Sequence, residues 1–290
     1  MTTILVMTWK ELLRKRVMLL TLMMTALFLL AFWFVADTLS LDIPEDPMSG
    51  DYLIEQFSRG SFILMLGFFF GSFVVAFLSI FSSFSVIAGE AEQGVMQALM
   101  PRPIPRSQWY LGRWLGYVSL GVLYALLLFS AILLVTDVHS NVPRDFGALM
   151  KSYLLFASTV PMLISVAMLG SGIFSALGNG VFMTMLYGAG WLGGMIDKVS
   201  GSLGLDELVL KPLNNITGII SLIMPSDSIQ RRMLSELFSY DEMDGLVNFS
   251  SSFNLFSLDR IPSNSFLVYA AIYTVAAFVL GMLRFRRKDL

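Results

Sequence analysis

The sequence predicts an all-α integral membrane protein with six transmembrane helices. Three observations carry this prediction. The chain of 290 residues is 56% hydrophobic and only 14% charged, where ordinary globular proteins carry about 25% charged residues. Its mean hydropathy is +0.73. Its apolar residues gather into runs close to the ~20 residues that cross a bilayer core as a helix. The runs are 17–36, 61–88, 114–136, 150–177 (interrupted by Pro161), 181–196 (short and glycine-rich) and 265–283. Residues 1–290 therefore read as one transmembrane domain.

Lysine and arginine orient the runs, because cytoplasmic loops keep the cationic excess. With the N-terminus inside, the inner segments hold Lys10, Arg14, Lys15, Arg16, Arg102, Arg106, Arg113, Arg284, Arg286, Arg287 and Lys288, which is eleven cations. The two short outer loops hold three: Arg59, Arg144 and Lys151. Both termini are expected in the cytoplasm of a cell that places this chain in its inner or plasma membrane. The outer loop 37–60 is acidic, as a solvated external face would be.

Two segments outside the spans have a pattern of their own. In 1–16, Leu5, Trp9, Leu12 and Leu13 form an apolar stripe beside Lys10, Arg14 and Lys15. It reads as an interfacial elbow helix held by anionic lipid headgroups, or as the flank of the first span. The segment 197–264 is expected outside. Its part 208–224 is moderately apolar but broken by Lys211, Pro212, Asn214 and Asn215, which suits a re-entrant or surface-lying piece. After Pro225, Ile229, Met233, Leu237 and Phe238 share one helical face, with Arg232, Ser235 and Glu236 opposite and Ser226 as the expected N-cap. This predicts an external amphipathic helix, lying on the membrane surface or packed on the spans.

Glycines recur four apart at 67/71, 112/116 and 190/194. Small residues at that spacing let helix backbones approach closely in lipid, inside one bundle or across a dimer. The remaining composition excludes several chemistries. Without cysteine there is no disulfide, thiolate metal site or cysteine nucleophile. The one histidine, His139, reads as a solvated loop residue beside Asp137. Nineteen methionines read as apolar filler. No basic tract could follow a nucleic-acid backbone. The N-terminal run is too long for a cleavable leader. No ionisable residue sits mid-span, as a proton relay would need. Asn215-Ile-Thr217 and Asn248-Phe-Ser250 match the weak N-glycosylation pattern. No Gly-x-x-x-x-Gly-Lys-Ser/Thr loop exists to cradle a nucleotide, so the chain is not expected to be an enzyme.

What stands out is a charged, proline-punctuated island at 89–113 between two apolar runs, expected as a cytoplasmic loop. Ala91 to Met100 are good helix formers, and Glu90 and Glu92 favour the positive end of a helix dipole. Pro101 and Pro103 stop that helix, Pro105 stiffens the turn, and Ser107 can cap the helix that enters the third span. Val95, Leu99 and Met100 suit a groove on another protein. An ordinary solvated loop is the plain alternative.

The pattern Glu90-x-Glu92-x-Gly94, then Pro103, Arg106 and Gly112-Arg113, resembles the cytoplasmic loop of ABC-2 type transporter permeases. Val95 stands where that family usually has Thr, and Arg113 where Lys is usual. The basic tail Arg286-Arg287-Lys288-Asp289-Leu290 also fits. The resemblance implies six spans, an N-terminal elbow helix, and external or re-entrant helices between spans five and six. It implies a bacterial exporter in which separate ABC ATPase subunits bind ATP and Mg, and this chain pairs with a second permease copy or homologue and holds no cofactor. The coupling interface it implies comprises Glu90, Glu92, Gly94, Val95, Leu99, Pro101, Arg102, Pro103 and Arg106. The other reading is a non-transporting anchor that relays ATPase cycles to an external partner through 197–264.

Overall fold

The structure is a computed structural model. It describes the backbone of residues 2–40, 50–94, 105–140, 145–202, 207–238 and 261–287, and the side chains of these except 50–55, 198–202 and 207–210. All secondary structure among these residues is helical: α1 Thr2–Arg14, α2 Arg16–Ser40, α3 Gly50–Ser83, α4 Ala88–Glu92, α5 Arg106–His139, α6 Phe146–Ser171, α7 Ala176–Ser202, α8 Glu207–Ile223, α9 Ser226–Leu237 and α10 Asn264–Arg287.

Five of the described helices are long and apolar enough to cross a membrane: α2, α3 with α4 (Gln56–Glu92), α5, α6 and α10. The expected fifth span, 181–196, lies within α7. That helix has 27 residues but is not among the five, because glycine and polar residues dilute its apolar content. The boundary between the fourth and fifth runs also moves. Pro161 does not interrupt α6, which is continuous to Ser171; a proline removes one rung of the ladder, and the helix here tolerates it. The corner falls at 172–175, where Ser175 accepts a hydrogen bond from the Gly178 amide (3.2 Å) and so caps α7.

The core lies between α3, α5 and α6. Phe68, Phe129 and Phe156 meet there with centroids 4.9–5.9 Å apart, among fully buried Ile63, Leu64 and Leu128. Leu27, Leu30 and Phe34 of α2 and Ile272 of α10 point outward, as lipid-facing residues do. The three glycine pairs all serve packing within this chain. A Cβ on Gly67 would stand 2.7 Å from Ile132 of α5, one on Gly116 2.7 Å from Thr8 of α1, and one on Gly190 2.9 Å from Met224.

Helices α8 and α9 form a hairpin whose tip, Met224–Pro225, rests on Gly190 halfway along α7. α9 is not a surface helix. Ten of its residues, from Ser226 to Leu237, are buried, against α6, α7 and α3. Ser235, expected on the polar face, is buried too. Ser226 is the first helical residue rather than the cap, and Pro225 holds the N-cap position. The carbonyls ending α8 are capped from α10: Tyr269 donates to Leu222 O (2.6 Å) and Tyr273 to Ile223 O (2.9 Å). In the first glycosylation pattern Asn215 is exposed on α8 and Thr217 is buried; Asn248 lies outside the described residues.

His139 is likewise not solvated. Its ring packs edge-on against Trp33 at 4.7 Å. Its Nδ1 bonds Val135 O (2.8 Å), and its Nε2 lies 3.9 Å from Asp37.

Candidate functional site

The island enters the described structure from both sides. On its N-terminal side α3 ends at Ser83, a turn covers 84–87, and α4 ends at Glu92. The expected helix 91–100 is therefore not one continuous piece. Gln93 is the C-cap, and Gly94 follows with φ +72°, a left-handed conformation that glycine adopts without a Cβ penalty. Val95, Leu99, Pro101, Arg102 and Pro103 lie outside the described residues. On the C-terminal side α5 starts at Arg106 with Pro105, not Ser107, at the N-cap.

Glu90 and Glu92 stand two residues apart on one helical turn, so their side chains leave in opposite directions, about 200° apart. Glu90 joins Arg113 of α5, which also pairs with Glu11 of α1; Lys15 binds Glu11 from the other side at 2.7 Å. Arg113 is 2% exposed. Its guanidinium fork reaches two carboxylates on two different helices, a geometry that suits arginine better than lysine. Its carbon stands 5.5 Å over the Trp109 ring, which stacks on Phe285 of α10 at 5.0 Å. Burial pushes the Glu11 carboxyl up, but hydrogen bonds from Lys15 and Arg113 outweigh it and hold Glu11 below the usual carboxylate range.

Glu92 turns the other way. Its Oε1 accepts from the Ala176 amide at 3.0 Å, at the N-terminus of α7, where a helix dipole favours a carboxylate. Arg106 donates to Arg286 O at 3.2 Å, binding the start of α5 to the last turn of α10. The expected interface residues Glu90, Glu92 and Arg106 are thus each engaged by their own chain. They bring α1, α4, α5, α7 and α10 to one end of the bundle.

Helix α1 is built into this junction. It is a separate helix, bent from α2 at Lys15, and it packs on α5. Gly112 and Gly116 make the close approach possible: Cβ atoms there would stand 2.9 Å from Ile4 and 2.7 Å from Thr8. Trp9 donates its indole N–H to Ser119 Oγ at 2.8 Å. An open groove of about 1080 Å³ lies beside α1, with Lys10, Arg14, Glu90, Gln93 and Arg113 among its lining residues.

A second polar cluster was not visible in the apolar runs. On α9, Arg231 pairs with Asp197 of α7 at 2.5 Å and with Asp227 one turn earlier at 3.1 Å. Gln230 donates to Phe68 O at 3.0 Å, in the middle of α3. The hairpin thus carries acidic and basic side chains into the bundle that no single apolar run contains. The i, i+4 spacing of Asp227 and Arg231 was the available signal, since it lets a helix neutralise its own charges.

These features define a helical membrane domain with a charged junction at one end and a polar hairpin packed into the bundle. The chain belongs to the ABC-2 family transporter protein family, matching it over residues 3–290. Among curated proteins no match is found.

Proposed function

We propose that this chain is the permease subunit of an ATP-driven exporter, and that separate ABC ATPase subunits dock on 89–113. The family match over nearly the whole chain supports the transporter class. The observation that carries the coupling is the placement of Glu90 and Glu92. They fasten the segment leading into 95–104 to α1 and α5 on one side and to α7 on the other. A push received there reaches three helices at once.

In this reading α7 makes the fifth of six crossings, and the α8–α9 hairpin is re-entrant from the external face. α1 lies in the interface, with Val6, Met7 and Leu13 exposed beside Lys10 and Arg14. Both termini are cytoplasmic, and a second permease copy or homologue completes the transporter in the cell membrane. ATP and Mg belong to the ATPase. Val95 and Leu99 supply the apolar contact, since ion pairs at an interface rim, such as Arg102 and Arg106 would make there, contribute only about 0.2–1 kcal/mol each.

The test is co-purification from the native host. The tagged chain should carry with it a protein containing Gly-x-x-x-x-Gly-Lys-Ser/Thr. The double variant Val95→Asp, Leu99→Asp should lose that protein while still inserting in the membrane. Retention of the ATPase by the double variant would sink the docking site. Absence of any such ATPase from the parent would sink the function.

A further inference from the structure

The turn at 84–87 breaks the path between the proposed docking loop and the long helix α3. In an unbroken helix the Ala88 amide would donate to Phe84 O, four residues back. Here both halves of that rung are satisfied from elsewhere. The Ala88 amide donates to Ser171 Oγ at 3.0 Å, and the Ile87 amide donates to the same oxygen at 3.0 Å. Phe84 O accepts from Asn179 Nδ2 at 2.6 Å. Ser171 ends α6, and Asn179 lies in the first turn of α7. The side chains that enter the break thus come from the two sides of one corner.

The corner is built to hold them. Ser171 and Asn179 are both 0% exposed. Asn179 also donates to Ala167 O of α6 at 2.8 Å. Its carboxamide occupies the space that a Cβ on Gly170 would fill. Gly180 leaves room for the Phe84 ring, 3.1 Å from where its Cβ would stand. Glu92 then adds a third tie, to the Ala176 amide. A helix whose ladder is opened by inserted side chains bends at that point, so α3 and α4 can change angle there. α4 itself cannot leave the α6–α7 corner without stranding the Ile87 and Ala88 amides, while Asn179 holds the corner to Phe84 at the start of the turn.

We infer that Ser171 and Asn179 are positioning residues for coupling, which make α4 and the α6–α7 corner one moving body hinged to α3 at 84–87. A displacement of the docking loop then swings α6 and α7 directly, and α3 follows through the hinge. This inference rests on the proposed docking of an ATPase on 89–113, but its structural half is measurable without one.

The chain has no cysteine, so a label pair introduced as Gln93→Cys and Leu177→Cys is unique; Leu177 is 80% exposed. Spin-label distances are measured on the permease alone, then on the complex with its co-purified ATPase, nucleotide-free and with ATP and vanadate. The parent pair should give one narrow distribution that nucleotide does not shift. Ser171→Ala with Asn179→Ala should broaden it in the isolated permease. In the complex those variants should make it move with nucleotide, while ATPase co-purification persists. A parent distance that changes with nucleotide overturns the inference, as does a double variant whose distribution matches the parent. Variants that only lower the melting temperature, with the pair still fixed, overturn it too, because that is the result for residues that merely stabilise. If no ATPase co-purifies, the proposed function fails, yet the broadening in the isolated permease still decides the link between α4 and the corner.

Discussion

Replacing Arg113 by methionine removes the cation that Glu11 of α1 and Glu90 of α4 share. Arg113 is 2% exposed. The Glu90 side chain is 13% exposed and that of Glu11 30%. Removing one partner of a buried ion pair costs about 3–5 kcal/mol, because the other charge is left without compensation. Water reaches Glu11 and Lys15 stays with it, so the lower end applies, about 3 kcal/mol. At roughly 2–4 °C per kcal/mol for chains of this order of size, melting should fall by about 6–12 °C. The assay is thermal melting of the purified permease in detergent, followed by tryptophan fluorescence. Arg113→Lys should lie between parent and Arg113→Met, since one ammonium cannot fork across both carboxylates. Adding Glu11→Gln and Glu90→Gln to Arg113→Met should recover most of the loss, because the stranded charges are gone. A single variant that melts with the parent, or a triple variant no better than the single, would refute the reasoning.

Two further outcomes follow from the packing. Gly116→Val places a branched side chain where its Cβ stands 2.7 Å from Thr8. Such overpacking costs about 1–3 kcal/mol and should lift α1 from α5, so trypsin should cut at Lys10 to Arg16 faster; unchanged cleavage would mean the glycine contact does not hold α1. Arg231→Met takes the guanidinium from half-buried Asp197 and buried Asp227 and should cost about 3–5 kcal/mol, read as faster hydrogen exchange over 207–238. Its control is Arg232→Met, whose pairing with Glu236 at 2.6 Å is within one helix and partly exposed, for which about 0.3–0.5 kcal/mol is expected. Equal effects from the two would show that burial of the Arg231 cluster is not what matters.

Long apolar runs were legible because length and hydropathy are additive along the chain: α2, α5 and α10 each enclose their expected run and extend beyond it. The sequence left α9 open between the membrane surface and packing on the spans because hydropathy scores residues singly. Ser226-Asp227-Ser228 and Gln230-Arg231 look like a wet surface one at a time. In the fold, Arg231 neutralises Asp227, and Gln230 binds Phe68 O, so the polar groups arrive in the core already paired. At the candidate site, the opposed directions of Glu90 and Glu92 follow from helical spacing alone, but their partners Arg113 and Ala176 do not. Ser171 and Asn179 gave no signal at all. Each is a lone polar residue in an apolar stretch, and its purpose exists only because a helix breaks next to it, 84 and 95 positions away in the chain.

The two tyrosines that cap α8 come from α10, the helix that follows the hairpin in sequence. Without α10, Leu222 and Ile223 would present open carbonyls, which in a hydrocarbon setting would cost several kcal/mol per group. The two tyrosines thus make the packing of α8 depend on a helix that lies more than forty residues further along the chain.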